Sequence, residues 1–399
     1  MGIVLWILMF MGLVLAHEFG HFITAKKSGV KVLEFGIGIP PKVCRLWKDK
    51  SGTEYTLNLL PLGGFVRLKG EDPKDEADFN AKNSFITARL GNKILILLAG
   101  VAMNFLVAWL LFTGIFYVGT KPFQIIPENA LKTSSHSYLM PTLSFLQSQG
   151  LTSGDILAIP VKIDEVVSWG IASNMKLQSG DVLLSINQQK VSILNVSTLL
   201  KWFIGQPITI SYQRNNKTLN WTANCGRDDC VLGIGFLSAG NLEVKLIKFP
   251  LGRAMWAGLQ EIGAEGKLTL STLGTLGANL LSFDKTRISW SVNKLTGPVG
   301  IVKVVQKLRE EKKRSPLVWL IGIISLALAL FNVLPIPALD GGRLLGVLIQ
   351  GIGRLKPEKY FNIEGYINLI FFIALMGLWV YIILKDLVRF RDIKIPFLG

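Results

Sequence analysis

The chain has 399 residues, half of them hydrophobic and 18% charged, with a net charge of +16. Its apolar residues fall in long blocks. That excludes an ordinary soluble domain, because runs of roughly 18–25 apolar residues cross a bilayer. The basic excess clusters beside those blocks, where Lys and Arg meet anionic lipid, so it is read as membrane flanking and not as a nucleic-acid footprint.

The first block, residues 1–28, lacks a basic leading region and a small-residue cleavage site. It is expected to remain as a transmembrane helix and not to be removed as a signal peptide. Near its end stands Ala16-His17-Glu18-Phe19-Gly20-His21. On a helix, residues i and i+4 share a face, so His17 and His21 can grip one metal ion. Glu18 lies beside them, close enough to act on a metal-bound water as general base. A catalytic zinc takes three protein ligands, so one is still to be found.

Residues 29–75 read as β. Val32–Ile39, Val43–Trp47, Glu54–Leu59 and Pro61–Leu68 are short apolar strands separated by turn residues such as Lys50-Ser51-Gly52. Their apolar character predicts a small membrane-associated sheet, whose backbone must be paired or line a wet cavity. Glu71–Lys82 is a charged surface loop. Residues 90–118 form a second span, uncharged from Ile94 to Val118, and Asn104 within it reads as a packing polar residue. Lys26, Lys27, Lys31, Arg89 and Lys93 place residues 26–93 on the cytoplasmic side. The N-terminus and residues 119–314 are then outside. Lys312, Lys313 and Arg314, and in the tail Lys385, Arg389, Arg391 and Lys394, run against that tendency.

Residues 119–160 are an outer segment without an assigned fold, and His136 among its serines reads as a solvated loop histidine. Leu151–Leu157 echoes Leu177–Leu183, but the copies start only 26 residues apart, too near for two tandem domains, and the echo reads as repeated turn chemistry. Residues 161–240 look like one compact β-rich domain: a strand at Val161–Val167, a turn and strand at Ser179–Asn187, a helix at Val196–Trp202, a hairpin across Asn215-Asn216, and a closing strand at Val231–Phe236. Gly180-Asp181-Val182-Leu183-Leu184-Ser185-Ile186-Asn187 resembles the core of a PDZ domain. Gly233, Ile234, Gly235 and Phe236 look like that family's peptide-terminus-binding loop, placed last in the chain as in a circular permutation. The resemblance implies capture of an extended peptide by strand addition; a size filter or scaffold without a ligand is the equal alternative. Cys225 and Cys230 flank a turn-forming sequence and fit a disulfide in an oxidising compartment, with Cys44 free. A zinc knuckle would need a second cysteine pair. Residues 247–300 carry small and apolar residues at helical spacing, read as helices at the membrane surface or as packing against the third span. The third and fourth spans are residues 315–355 and 363–388.

The third metal ligand must be a carboxylate or cysteine near membrane depth. Spans two and three contain no acid until Asn332-Val333-Leu334-Pro335-Ile336-Pro337-Ala338-Leu339-Asp340-Gly341-Gly342. An acid after so long an uncharged run is costly and usually paired or metal-bound, so Asp340 is the expected ligand; it could also cap the helix that follows. Pro335 and Pro337 break the helix before it. Asn332 could hold the scissile carbonyl or its oxyanion, or make an interhelical hydrogen bond.

The His17-Glu18-x-x-His21 motif in the first span, with the Asn332-to-Gly342 motif in the third, resembles the site-two protease family of intramembrane zinc metalloproteases, in its bacterial regulator of sigma-E protease branch. The Phe35–Gly38 and Gly63–Phe65 strands, the Ala99-Gly100-x-x-x-Asn104 of span two, the PDZ-like insert and Asn293–Gly300 extend the resemblance over nearly the whole chain. Two departures stand out: one PDZ-like domain where many relatives have two, and Val101 where relatives often have proline.

The resemblance implies a polytopic α-helical membrane protein with four transmembrane helices, a membrane-associated β-sheet and a β-rich PDZ-like insert. It also implies a Zn2+ endopeptidase with His17, His21 and Asp340 as metal ligands and Glu18 as catalytic base. Asn332 and Asn293, the latter with the Thr296-Gly297-Pro298 turn, would contact substrate. The expected partners are the lipid bilayer and single-pass membrane proteins, such as anti-sigma-factor-like chains or signal-peptide remnants already cut outside, and no nucleic acid. The expected location is the bacterial cytoplasmic membrane, with the PDZ-like domain extracytoplasmic. A catalytically silent PDZ-bearing scaffold and a metal transporter are the other classes. An intact donor set argues against the first, and the scarcity of ionisable groups along the spans against the second.

Overall fold

The computed structural model describes residues 2–71, 81–123, 137–152, 161–166, 171–192, 195–225, 230, 232–236, 244–282, 284, 288, 295, 297–353 and 357–389. Asn293, Thr296, His136 and the turn between Cys225 and Cys230 lie outside them. The chain forms two compact units: residues 1–112 with 265–399, and residues 113–264.

The first unit begins with α1 (Gly2–Lys27), β1 (Val32–Lys48), β2 (Glu54–Leu68) and α2 (Leu90–Val118). After residue 265 it continues through α7 (Pro298–Glu310), α8 (Arg314–Val333), α9 (Asp340–Gly353) and α10 (Pro357–Arg389). Four stretches are long and apolar enough to cross a membrane: α1, α2, α8 and Glu364–Val388 of α10. Lipid tails are as apolar as leucine, so small residues that allow close approach decide how such helices pack. At Gly20 a β-carbon would lie 2.4 Å from the Ala99 carbonyl oxygen, which brings α1 onto the backbone of α2. Gly322 of α8 makes room in the same way for the buried ring of Phe112. The Ser325 hydroxyl of α8 donates to the Asn104 carbonyl of α2 at 2.9 Å.

The stretch read as one span over 315–355 is two helices. Proline has no N–H and clashes with the preceding turn, so Pro335 and Pro337 end α8 and let a short loop lead into α9 at Asp340. In that loop Ala338 takes the left-handed φ of 72°, and its N–H donates to Asn368 Oδ1 of α10 at 2.9 Å. At the start of α7, where helical N–H groups lack partners, Gly300 N–H donates to the buried Asp386 carboxylate of α10 at 3.1 Å.

Where four short strands were expected between the first spans, there are two long ones, each bent on itself. Pairs 34/67, 35/66, 36/65 and 37/64 run antiparallel, as do 42/58, 44/57, 45/56, 47/55 and 48/54. Pairs 34/54, 35/55, 36/56 and 37/57 advance in step, so Glu34–Ile37 has β2 on both sides. Pro40 and Pro41, left between strands in the sequence reading, and Pro61, at the start of one, all lie within these two strands, at the irregular end where the ladder is interrupted. Gly38 makes the bend possible: its φ is 83°, and an added β-carbon would sit 2.8 Å from the Leu60 carbonyl oxygen. On this sheet Val43, Leu46, Trp47, Leu59 and Leu60 are exposed, an apolar surface suited to hydrocarbon.

The second unit holds α3 (Leu143–Ser148), β3 (Val161–Val166), α4 (Ile171–Asn174), β4 (Val182–Ile186), β5 (Gln189–Lys190) and α5 (Val196–Trp202), then β6 (Pro207–Arg214), β7 (Lys217–Asn224), β8 (Ile234–Phe236) and the first part of α6 (Leu251–Leu281). Its sheet has the order β7-β6-β4-β3-β8, with β5 on β4. Alternation on β6 buries Ile208, Ile210 and Tyr212, which pack with Leu183, Ile186 and the inner face of α5 (Val196, Leu199, Leu200). Cys225 and Cys230 are joined by a disulfide and buried in this core. Cys44 is free and exposed.

Candidate metal centre

The site is built on the two glycine-mediated contacts of α1. Gly100 of α2 faces the histidines: a β-carbon there would lie 2.4 Å from His21 Nε2 and 2.7 Å from His17 Nε2. Hydrogen alone at this position lets both rings lie against the α2 backbone. Both histidines are buried, one helical turn apart.

Asp340, at the first position of α9, reaches the same point. Its Oδ2 is 2.9 Å from His17 Nε2 and 3.3 Å from His21 Nε2, and the two Nε2 atoms are 3.1 Å apart. Among the described residues this is the cluster that could hold a metal ion. The donor set can be tested against zinc by its size. Zn–N and Zn–O bonds of about 2.0–2.2 Å in tetrahedral geometry place ligand atoms roughly 3.3–3.5 Å apart. The observed triangle is close to one face of such a tetrahedron, slightly contracted, and its nitrogen and oxygen donors suit the ion. The residues fit zinc.

Behind the histidines, His21 Nδ1–H donates to the Ile96 carbonyl at 2.7 Å, which leaves Nε2 as the lone-pair nitrogen on the Asp340 side. His17 Nδ1 is 3.2 Å from the Asn104 side chain. Sequence reasoning assigned Asn104 to packing; the structure places it against His17. The signal available was its position one turn after Gly100, on the face that meets α1.

A recess opens beside the cluster, lined by Val14, His17, Glu18, Asn104, Leu328, Asn332, Ala338, Leu339 and Asp340. Glu18 and Asn332 therefore share one space with two of the donors, His17 and Asp340. A β-carbon at Gly63 of β2 would lie 3.3 Å from Val14, so the edge of the sheet reaches the rim of the recess. One turn along α9, Arg343 forms an ion pair with Glu71, which also accepts from Leu68 N–H at the end of β2. Gly233, Ile234, Gly235 and Phe236 are in the other unit, at and just before β8.

Four membrane-length apolar helices with a two-imidazole, one-carboxylate cluster define an integral membrane protein with a metallopeptidase donor set. Residues 5–376 match the family model described as Peptidase family M50. A protein of Clostridium perfringens (strain 13 / Type A), named by inference a zinc metalloprotease, is 31% identical over 397 residues, 97% of this chain and 99% of that protein. The zinc metalloprotease RasP of Geobacillus kaustophilus (strain HTA426) is 29% identical over 443 residues, 98% of each chain. The zinc metalloprotease RasP of Shouchella clausii (strain KSM-K16) is 28% identical over 430 residues, 96% of this chain and 97% of that protein. The chain belongs to peptidase family M50, the site-two protease family of zinc metalloproteases that its motifs resemble, and is a metalloendopeptidase.

Proposed function

We propose that this protein hydrolyses peptide bonds inside the membrane-spanning segments of other membrane proteins, in regulated intramembrane proteolysis that follows an earlier cut outside the membrane. The observation that carries the reading is the His17–His21–Asp340 triangle opening onto a recess among apolar helices. These three residues would hold Zn2+. Bound there, the ion would polarise the attacking water and the scissile carbonyl. Glu18 takes the water's proton and returns it to the leaving amine. Asn332, on the recess wall, donates to the carbonyl oxygen as negative charge develops on it.

A substrate helix has satisfied its own backbone and hides its peptide bonds, so it must unwind before cleavage. The outer edge of β2 near Gly63 and Gly64 lies against Val14 and Leu15, just before the motif. An unwound segment would pair there as an added strand and run into the recess. Asn293 remains a candidate substrate contact on the strength of the motif alone.

The second unit supports a PDZ reading: β8 is an edge strand, and Gly233, Ile234, Gly235 and Phe236 would receive a peptide terminus. The disulfide between Cys225 and Cys230 favours an oxidising side for this unit, with the protein in the bacterial cytoplasmic membrane and residues 26–93 facing the cytoplasm. Glu18→Gln tests the assignment. The variant should retain zinc and lose cleavage of a transmembrane model substrate. Persisting cleavage would remove Glu18 and this site from the reaction.

A further inference from the structure

The Asn104 side chain is wholly buried beside a metal-facing histidine, and its polar atoms do not balance. Its Nδ2 is 3.2 Å from His17 Nδ1, while Oδ1 has no hydrogen-bond partner among the described residues. Leaving a buried carbonyl in that state is costly. The protonation of His17 sharpens the conflict. An imidazole that offers its Nε2 lone pair to a metal carries its proton on Nδ1. As drawn, the ring N–H and the amide N–H would be two donors facing each other.

Turning the amide by 180° removes both faults. The oxygen and nitrogen of asparagine have nearly the same shape and are assigned by their hydrogen bonds. With Oδ1 toward the ring, His17 Nδ1–H donates to it, and the orphaned carbonyl gains its partner. His21 already follows this rule, with Nδ1–H on the Ile96 carbonyl. Both acceptors then come from α2, and Ser325 ties the α2 backbone at Asn104 to α8.

We propose that Asn104 is a positioning residue that accepts the Nδ1 proton of His17, fixing the tautomer and ring orientation that present Nε2 to the metal. The proposal rests on the zinc reading of the site. Partners of this kind change metal affinity by about 10–100-fold when removed.

The test compares Asn104→Asp and Asn104→Leu in the full-length, detergent-solubilised protein. Aspartate can accept from His17 but cannot donate, and leucine can do neither at similar volume. Zinc affinity is measured by competition with a chelator, and the cobalt-substituted proteins are compared by visible spectrum. We expect Asn104→Leu to lose zinc affinity at least tenfold with an altered cobalt spectrum. Asn104→Asp should stay within threefold of the unsubstituted protein and keep its spectrum. Full affinity and an unchanged spectrum in the leucine variant would overturn the proposal. So would an aspartate variant that loses zinc as leucine does, since that result belongs to an asparagine that donates. If leucine prevents folding, the aspartate variant decides alone. An unsubstituted protein that takes up no zinc would instead sink the metal reading, before any variant is compared.

Discussion

Arg343 and Glu71, 272 residues apart, form an ion pair that ties the first turn of α9 to the end of β2. Arg343 lies one helical turn after Asp340, and Glu71 also takes the Leu68 N–H. The pair therefore connects the carboxylate of the metal cluster to the sheet proposed to receive substrate. Both side chains are partly exposed, so the net coupling is placed at about 1 kcal/mol. Glu71→Arg and Arg343→Glu should each lower kcat/KM several-fold, and the double charge swap should recover part of the loss. Additive losses in the double variant would show that the pair does not couple the two elements.

Gly100 offers a sharper steric prediction. A methyl at this position would meet both imidazole Nε2 atoms well inside contact distance, and the α2 backbone cannot retreat without opening its contact with Gly20 of α1. Gly100→Ala should reduce zinc content at least tenfold while the secondary structure by circular dichroism is kept. Normal zinc content in this variant would mean that the helices part more easily than their packing indicates.

Metal removal should act on stability as well as on activity. A ligand at 100 times its dissociation constant adds about 2.7 kcal/mol to the folded state. Dialysis against a strong chelator should abolish cleavage and lower the melting midpoint, and stoichiometric zinc should restore both. Asp340→Ala should show the same lowered midpoint without any response to zinc.

The sheet edge can be probed apart from the metal. Prolines introduced singly over residues 62–66 remove backbone N–H groups that an added strand would use. Cleavage should slow at some of these positions while zinc content is unchanged. Uniform, unaltered turnover across the series would reject strand addition at this edge.

In the second unit, pH should reveal a buried ion pair. Burial works against the charge of Asp181, but Arg214 Nε and Nη2 each donate to it at 2.7 Å, with Gln178 N–H at 2.8 Å, and these bonds hold its carboxyl below the usual range. A depressed folded-state pKa gives stability that is present above the unfolded value, about 4, and fades as pH falls through the folded one. Hydrogen exchange of β4 and β6 amides in the full chain should therefore accelerate below about pH 4. Arg214→Met should raise exchange already at pH 7, by about 3 kcal/mol in opening free energy, because it strands a buried carboxylate.

What could be read from the sequence, and what could not, follows from how each residue announces itself. His17, His21 and Asp340 are polar groups in or beside apolar runs, where spacing and the cost of charge single them out. Asn104 carries no charge and sits among small and apolar neighbours, so it looks like ordinary helix packing until the His17 ring is placed against it. Glu71 and Arg343 are conspicuous charges, but nothing in their local sequence shows that they meet. The doubled strands were obscured because prolines usually end strands, while here they mark bends within them. The break between α8 and α9 was legible in Pro335 and Pro337, with a helix expected after Asp340, but the contact that holds the intervening loop, Ala338 N–H on Asn368, was not, because the two residues lie far apart in sequence.

The sequence separation of 323 between His17 and Asp340 also has a biosynthetic consequence. A chain emerging from the ribosome carries the histidines and Glu18 into the bilayer first, and the proposed third ligand arrives only after most of the protein has been made. A nascent or truncated product thus holds two of the three donors and lacks a complete centre. On the proposed reading, hydrolytic competence would be coupled in this way to finished membrane insertion, and a half-built copy would lack the centre needed to attack other nascent helices.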